Sequence, residues 1–370
     1  MKIGCVKEIK VHEYRVGLTP GNVRMYTAKG HAVTIQSGAG FEAGFEDADY
    51  IAAGASIEND AKKIWDNADM IIKVKEPVDK ELGYFHEGLI LYTYLHLASD
   101  KHLAQKLLDE KVSAVAYETI TSKTGILPCL KPMSEIAGRL SLQEGAKYLE
   151  RPFGGRGVLL GGVPGVERGK VVVLGGGVVG TNACKIALGL GADVTVLDLS
   201  IDRLTYLDDL FGGSVQTLYS SPENIELSVA KADIVIGAVL IPGASAPRLI
   251  TKNMLSLMKK RSVIVDVAID QGGCIETSHP TTHEDPTFIV DEIVHYCVAN
   301  MPGAVPKTST MALTNTTISY GLQLANKGIA AMADDPGFLL GLNTCKGLCV
   351  NKNVADSLGF DYIPAGNVLG

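Results

Sequence analysis

A glycine-rich loop near the middle of the chain joins an apolar strand to a helix and constrains the fold more than any other feature. Residues 170–174 read KVVVL, and Gly175, Gly177 and Gly180 follow, with Val178 at the predicted helix start. In this spacing Gly175 permits a tight turn, Gly177 lets the backbone approach a pyrophosphate, and Gly180 lets the helix pack against the strand. The loop therefore predicts a dinucleotide-binding βαβ unit, with a merely compact turn as the alternative interpretation.

An acidic residue ends the next predicted strand. Residues 193–197 (DVTVL) are followed by Asp198, at the position where a carboxylate accepts hydrogen bonds from ribose hydroxyls and repels a 2′-phosphate. We therefore expect NAD, rather than NADP, as the cofactor. Arg203 is interpreted as a solvated helix residue that lies along the adenosine ribose; alternatively, it offsets the charge of Asp198.

Size and composition are those of an ordinary globular α/β protein. The 370 residues exceed what one core usually holds, which predicts two domains. The net charge of −7 argues against a nucleic-acid partner, because such surfaces are basic. The charged first residues and the lack of a long apolar run predict a cytoplasmic protein with no membrane partner. The seven scattered cysteines predict reduced, buried thiols and no metal site.

Strand-like and helix-like segments alternate along the whole chain, which predicts parallel sheets with crossover helices. We predict two Rossmann-like, doubly wound α/β domains: a substrate domain from residues 1–130 and 306–370, and an inserted NAD-binding domain from residues 131–305. Long helices at residues 133–150 and 306–332 would connect them, and the tail would continue in short helices. The predicted strands are residues 3–6, 32–36, 69–74, 89–94, 112–117, 171–175, 194–197, 215–218, 234–237, 263–267 and 294–298.

Polar side chains follow four predicted strands of the first domain, at the edge where ligands bind in open parallel sheets. Arg15 and Lys75 suit a carboxylate substrate, since arginine offers a planar fork and lysine a point charge. The period of two places Tyr94 and His96 on one strand face, and an imidazole suits proton transfer near neutral pH. Glu118 ends the last of these strands.

Each of these side chains also has a structural interpretation. Arg15 and Glu118 could simply pair with each other. Lys75 could be a solvated charge at a strand end, and His96 could be a partly buried histidine with no catalytic task. Their convergence at one sheet edge favours the functional interpretation.

The second domain offers a matching set of polar residues at its strand ends. Asp270 and Asn300 each follow a predicted strand, so both are expected to face the nicotinamide. Alternatively, Asp270 caps a turn and Asn300 is only a turn residue. Asp266 lies within a strand and is interpreted as structural.

Several motifs, in this order and spacing along the whole chain, resemble the alanine dehydrogenase family. They are residues 13–20 (EYRVGLTP), 73–77 (KVKEP), 94–98 (YLHLA), 131–138 (KPMSEIAG), 270–273 (DQGG) and 295–306 (HYCVANMPGAVP). The resemblance implies an NAD-dependent enzyme that interconverts L-alanine with pyruvate and ammonia, and a homohexameric assembly.

The resemblance also implies a role for individual residues. It assigns catalysis to His96 and Asp270, and the substrate carboxylate and carbonyl to Arg15 and Lys75. Tyr94, Glu118 and Asn300 would line the substrate pocket. The implied cofactor contacts outside the glycine loop are Ser134, Asp198, Arg203, Ser220, Val239, Leu240, Val267, Asp270, Val298 and Met301. Relatives often carry an arginine near the cofactor where this chain has His279.

Other functions remain open at this stage. The main alternative is a soluble NAD(H)-binding module, similar to part of proton-translocating transhydrogenase, that docks on a membrane partner. A non-catalytic NAD-binding regulator would keep the glycine loop but not Arg15, Lys75, His96 and Asp270 together. A related amino-acid dehydrogenase that makes an opine or a saccharopine-like product is a further alternative.

Overall fold

The computed structural model describes residues 1–239 and 246–369, which divide into two compact units. Unit 1 contains Met1–Met133 and Gly303–Gly370, and unit 2 contains Ser134–Pro302. No helix within the described ranges is long and apolar enough to cross a membrane. Leu240, one of the implied cofactor contacts, lies outside the described residues.

Unit 1 is built on an eight-stranded sheet with helices on its faces. Its strands are β1 (Lys2–Cys5), β2 (Ala32–Gln36), β3 (Ser56–Glu58), β4 (Met70–Ile72), β5 (Ile90–Thr93), β6 (Ser113–Ala116), β14 (Leu342–Cys345) and β15 (Leu348–Cys349). The strand order is β3-β2-β1-β4-β5-β6-β14-β15, and the six N-terminal strands run parallel. The order reverses between β1 and β4, which is where doubly wound folds bind ligands.

Unit 2 has a seven-stranded sheet of the same winding. Its strands are β7 (Lys170–Leu174), β8 (Asp193–Asp198), β9 (Val215–Tyr219), β10 (Ile234–Gly237), β11 (Val263–Asp266), β12 (Thr287–Val290) and β13 (Ile293–Tyr296). The order is β9-β8-β7-β10-β11-β13-β12, with β12 antiparallel to β13. The order reverses at β7, directly before the glycine loop.

The helices connect the parallel strands and cover the sheets. In unit 1 they are α1 (Pro20–Thr27), α2 (Asp47–Ala52), α3 (Ala61–Asn67), α4 (Asp79–Leu82), α5 (Lys101–Asp109), α10 (Pro306–Lys327), α11 (Pro336–Leu339), α12 (Lys352–Leu358) and α13 (Gly366–Leu369). Unit 2 has α7 (Val178–Gly189), α8 (Ile201–Phe211) and α9 (Pro222–Val229), and α6 (Lys131–Leu149) runs through the boundary. Short 3-10 helices occupy Phe41–Ala43, Leu97–Ser99, Tyr117–Thr119, Arg151–Phe153, Lys252–Leu257, Val267–Gln271, Met301–Ala304 and Gly328–Met332.

Local sequence rules account for these elements. Thr19 caps α1 by accepting a hydrogen bond from the backbone of Asn22, and Pro20 occupies the first helical turn, as predicted. Strands such as β5 and β10 are buried at every position, because helices cover both faces of a parallel sheet. Their apolar runs made these strands visible in the sequence.

The predicted α/β fold of two Rossmann-like, doubly wound units is confirmed, but the sheets are mixed rather than purely parallel. The prediction missed β3 and β12, which are short, and the hairpin of β14 and β15, which adds two antiparallel strands where the tail was expected to hold only helices. The second long helix ends at Lys327 and continues as a 3-10 helix.

Candidate active site

The loop after β1 buries an arginine–glutamate pair. The side chain of Arg15 is 2% exposed and donates through Nε to Glu13 Oε1 at 2.6 Å and through Nη2 to Glu13 Oε2 at 2.5 Å. Its Nη1 lies 3.0 Å from the Met133 sulfur. Burial acts to lower the pKa of Arg15, but the hydrogen bonds and charge of Glu13 outweigh it and leave the pKa raised. Arg15 therefore pairs with Glu13, and not with Glu118 as one interpretation of the sequence suggested.

The segment after β4 carries the second predicted cation. Lys75 is half-buried, and its backbone carbonyl accepts a 2.9 Å hydrogen bond from the Thr93 hydroxyl at the end of β5. Its backbone amide lies 3.4 Å from a carboxylate oxygen of Glu8. Both contacts are made by the backbone of residue 75, so they fix its position in the segment without assigning a role to its ammonium group.

His96 lies beyond the end of β5, in a left-handed turn. The strand ends at Thr93, so the period of two that was expected to align Tyr94 and His96 does not extend to the histidine. His96 is exposed, has φ of 48°, and stacks its ring on that of Tyr94 at a centroid distance of 6.1 Å. The Tyr94 hydroxyl donates to the Cys129 carbonyl at 2.6 Å, and burial raises the pKa of this tyrosine.

Glu118 holds the backbone of that turn. Its Oε1 accepts hydrogen bonds from the amides of His96 at 2.6 Å and of Leu95 at 3.1 Å, and its Oε2 lies 3.3 Å from the same Leu95 amide. The structure therefore joins Glu118, His96 and Tyr94 directly. With Arg15 and Lys75, these residues lie at the carboxyl ends of the neighbouring strands β6, β5, β4 and β1.

In unit 2 the glycine loop has the geometry of a phosphate-binding turn. Gly175 has φ of 96°, and a Cβ on Gly180 would lie 1.8 Å from the Gly175 carbonyl oxygen. Gly177 is the N-cap of α7 and provides no side-chain cap, while a Cβ added there would meet nothing within 4 Å. Backbone amides at an uncapped helix start favour an anion, and the space at Gly177 leaves room for one.

Asp198, at the end of β8, and Arg203, in α8, both contact this loop. The Asp198 carboxylate accepts from the Gly176 amide at 2.7 Å and from the Ser200 amide at 2.9 Å. Arg203 donates to the Gly176 carbonyl at 2.5 Å and its guanidinium lies 4.6 Å from the centre of the Tyr206 ring. Neither interpretation of Arg203 anticipated its contact with the loop backbone. A carboxylate has about four acceptor sites, so Asp198 retains capacity for ribose hydroxyls.

The loop that carries Asp270 is organised by a buried acid. Asp266 ends β11, is fully buried, and accepts hydrogen bonds from the amides of Ala268 at 3.2 Å and of Cys274 and Ile275 at 3.3 Å. Burial raises its pKa, while the Ser278 side chain and the amides of Cys274 and Ile275 act against the rise. Asp270 is exposed within the 3-10 helix that follows Asp266.

The remaining predicted residues occupy several elements of the described structure. Asn300 has φ of 58°, which fits a turn, and it follows β13, which ends at Tyr296 rather than at Val298. Ser134 lies in α6, and Ser220 donates its amide to the Asp198 carbonyl at 3.0 Å. Val298 and Met301 are buried, whereas Val239 and Val267 are partly exposed. His279 stacks on Phe288 at a centroid distance of 3.7 Å.

Sequence reasoning missed Glu8, Glu13 and Lys73 as parts of this region. The position of Lys73, directly after the apolar run Met70–Ile72, could have indicated a buried ion pair, because a lysine is rarely buried unless it is paired. The partners of Lys73 could not be identified without the fold.

Comparison with known proteins is consistent with this arrangement. Residues 4–137 match the family described as alanine dehydrogenase/PNT, N-terminal domain, and residues 141–352 match its C-terminal domain. A protein named alanine dehydrogenase from Bacillus subtilis (strain 168) is 57% identical over 371 residues, which cover 100% of this chain and 98% of that protein.

Solved structures give the same relationship. A structure titled L-alanine dehydrogenase has a TM-score of 0.95 and 51% identity, and the match covers 97% of this chain and 99% of that one. A transhydrogenase from Sinorhizobium meliloti has a TM-score of 0.83 at 23% identity, with coverage of 95% and 99%, and indicates a shared fold. The chain is a member of the alanine dehydrogenase/PNT family.

Proposed function

We propose that this protein is an NAD-dependent alanine dehydrogenase that interconverts L-alanine and water with pyruvate and ammonia. The observation that carries the proposal is 57% identity, over the whole chain, to a protein named alanine dehydrogenase. A row of cation, imidazole and carboxylate side chains at neighbouring strand ends of unit 1 supports it. The transhydrogenase-like alternative has less support, since its structural likeness lies at 23% identity.

Unit 1 is the proposed substrate domain. Arg15 and Lys75 would bind the carboxylate of alanine or pyruvate, and Lys75 would polarise the carbonyl oxygen. Because Glu13 already neutralises Arg15, the Glu13–Arg15 pair would present a directional donor rather than a full positive charge. Tyr94 and Glu118 would shape the pocket for a small side chain, and Asn300, which belongs to unit 2, would have the substrate-lining role that the resemblance implies.

Unit 2 is the proposed NAD-binding domain. The uncapped start of α7, the space at Gly177 and the carboxylate of Asp198 suit the pyrophosphate and the ribose of this cofactor. Gly175, Val178, Gly180 and Arg203 would complete the loop. The other proposed contacts are Ser134, Ser220, Val239, Leu240, Val267, Val298 and Met301.

The chemistry divides between cofactor and protein. When bound, oxidised NAD accepts the hydride from the alanine α-carbon. His96 would then transfer the protons that accompany water addition to the resulting iminium and release of ammonia, which is worth about 10²–10⁴ in rate for a well-placed group. Asp270 would order the water or stabilise the iminium charge.

A spectrophotometric assay tests the proposal. Purified protein with NAD should form NADH with L-alanine, and much more slowly with glycine, serine or lysine. His96→Ala should abolish most turnover while NADH binding, measured by its fluorescence, persists. Lack of turnover with alanine in the presence of tight NADH binding would favour the docking module or the regulator. NADH oxidation that requires both lysine and a 2-oxo acid would favour a saccharopine-type enzyme.

We also propose a cytoplasmic homohexamer, on the basis of the family resemblance. Light scattering on the purified protein should give six times the mass of the 39.2 kDa chain. A monomer or dimer at working concentrations would contradict the proposed assembly without affecting the proposed reaction.

A further inference from the structure

A buried cluster of three charges lies beneath the segment that carries Lys75. Lys73 Nζ is 2.8 Å from Glu81 Oε1 and 3.2 Å from Glu8 Oε2. All three side chains are at most 5% exposed. The cluster, defined as Glu8, Lys73 and Glu81, has no place in the proposed chemistry.

Stability alone does not explain such a cluster. Removing charges from water costs several kcal/mol per ion, and well-packed apolar residues of similar volume usually stabilise a core as well or better. Burial acts to lower the pKa of Lys73, but the two carboxylates outweigh it, so the ammonium stays protonated. A cluster with this desolvation cost suggests a requirement for fixed geometry.

The geometry that the cluster fixes is that of the Lys75 backbone. Glu8 uses its second oxygen, Oε1, to accept the amide of Val74 at 2.6 Å and lies 3.4 Å from the amide of Lys75. Glu8 follows β1 and Val74 follows β4, and these neighbouring strands flank the point where the order of the sheet reverses. The carboxylate therefore ties together the two strand ends that carry the proposed carboxylate-binding cations.

Other contacts hold the same segment from its opposite side. The Tyr117 hydroxyl donates to the Lys73 carbonyl at 3.0 Å, and the Thr93 hydroxyl donates to the Lys75 carbonyl at 2.9 Å. The backbone amide of Tyr94 donates to the Val74 carbonyl at 3.1 Å. Glu8 is the carboxyl member of this set, and it contacts the amide of Val74 and the ammonium of Lys73 through separate oxygens. Burial raises the pKa of Glu8, while the charge of Lys73 and the Val74 amide act against the rise.

We propose that Glu8 is a positioning residue for Lys75, and that Lys73 holds the Glu8 carboxylate in the orientation that fixes the backbone of residues 74–75. The inference rests on the proposed function, because it assigns Lys75 to the substrate. Glu8 itself would touch neither substrate nor cofactor.

The matched variants Glu8→Gln and Glu81→Gln test this assignment. Each removes one of the two carboxylates around Lys73, so each should lower Tm to a similar extent. An amide has one oxygen, so the side chain introduced by E8Q cannot accept from Val74 and from Lys73 on separate oxygens, whereas E81Q leaves the contacts of Val74 intact. We expect E8Q to raise KM for pyruvate by about tenfold or more, with less change in kcat, and E81Q to change it by less than about threefold.

A second measurement does not depend on turnover. Hydrogen–deuterium exchange of peptides that include Val74 and Lys75 should be faster in E8Q than in E81Q or the wild type, while NADH affinity stays the same in all three. Equal exchange in the two variants, or equal KM values, would overturn the inference. If the wild type does not turn over alanine, the proposed function fails, and the exchange rates still decide whether Glu8 holds this backbone.

If E8Q does not fold, the double variant E8Q/K73M provides the test. It removes one charge of each sign, so the net charge of the buried cluster is unchanged. Faster exchange at residues 74–75 is again expected, and wild-type exchange there would contradict the role of Glu8.

Discussion

The Glu118 carboxylate accepts a 2.6 Å hydrogen bond from the backbone amide of His96, which we propose as the proton-transfer residue. His96 has φ of 48°, a conformation that costs a non-glycine residue of order 1–3 kcal/mol unless its surroundings enforce it. The Glu118 carboxylate stabilises this conformation by accepting hydrogen bonds from the amides of Leu95 and His96. Glu118 therefore supports the backbone of the His96 turn.

We predict that Glu118→Gln lowers kcat more than it raises KM. The amide can keep Oε1 as the acceptor for both backbone amides, but it loses the charge and places an N–H₂ group where Oε2 lies 3.3 Å from the Leu95 amide, so the turn relaxes. The loss of a hydrogen bond to a charged group is worth about 1.5–3 kcal/mol, which corresponds to roughly 10- to 100-fold in kcat. Steady-state kinetics with alanine and with pyruvate would measure this.

A matched control is Glu87→Gln, which removes the charge of a 72% exposed glutamate paired with Lys111. That variant should retain wild-type kinetics, because surface pairs contribute little. Wild-type kcat in the Glu118 variant would show that the His96 turn does not need the carboxylate.

Alanine substitutions at two glycines separate cofactor binding from folding. A Cβ at position 177 meets nothing within 4 Å, whereas a Cβ at position 180 lies 1.8 Å from a backbone oxygen. Gly177→Ala should keep the wild-type Tm but weaken NADH binding at least about tenfold, or ~1.4 kcal/mol, because the methyl group fills the space left for phosphate. Gly180→Ala should weaken NADH binding and also lower Tm, because overpacking strain reduces the free energy of unfolding by about 1–3 kcal/mol.

Thermal denaturation with and without NADH, together with NADH fluorescence titration, would distinguish the two effects. Unchanged NADH affinity in Gly177→Ala would show that the pyrophosphate does not bind at this loop. Unchanged stability in Gly180→Ala would contradict the close helix–strand contact.

Local sequence patterns were sufficient to predict the winding of both sheets. The fully buried parallel strands, such as β5 and β10, are continuous apolar runs, and the glycine spacing is set by one turn and one helix start, so each can be recognised within about ten residues. The hairpin of β14 and β15 could not be predicted in this way. Its strands are short, and β14 pairs with β6, more than 200 residues earlier in the chain.

The sequence proposes the members of the candidate site, but it does not predict the contacts among them. Arg15 and His96 were identified from their types and from their places at strand ends. Their partners, Glu13 and Glu118, were assigned differently or not at all, because no local pattern specifies which carboxylate meets which donor. Asp266 shows the same limit. Its place within a predicted strand indicates a structural role, but only the fold shows that its carboxylate accepts hydrogen bonds from the loop that carries Asp270.

The buried Arg15–Glu13 pair gives a prediction about stability. Glu13→Gln would leave the guanidinium, which is 2% exposed, without its bidentate carboxylate. Removing one partner of a buried pair typically costs about 3–5 kcal/mol, and urea denaturation should show this loss. The exposed pair of Lys352 and Asp356 is the control, and Asp356→Asn should cost less than about 1 kcal/mol. Equal losses would mean that the buried pair does not stabilise unit 1.

His295 gives a prediction about pH. Its ring is fully buried and stacks on that of Phe288 at a centroid distance of 5.0 Å. Its Nε2 lies 2.9 Å from the Thr277 hydroxyl, and its Nδ1 lies 3.0 Å from the Ile293 carbonyl oxygen. Burial lowers its pKa; the Ile293 carbonyl and the charge of Asp291 oppose this shift, and His279 adds to it. The folded protein therefore holds the imidazole neutral at pH values where the unfolded chain binds a proton.

The sign of the pH effect follows from that difference. Below the unfolded pKa of about 6.5, the unfolded state binds more protons than the folded state, so the free energy of unfolding decreases as pH falls toward the folded pKa, by at most about 1.4 kcal/mol per pH unit for one proton. We expect urea titrations between pH 7.5 and pH 5, a range chosen to bracket about 6.5, to show a shallower loss in His295→Gln than in the wild type. His102→Gln, at a side chain that is 74% exposed, should keep the wild-type slope. Parallel slopes for His295→Gln and the wild type would show that this histidine titrates alike in both states, and that its buried stack carries no acid sensitivity.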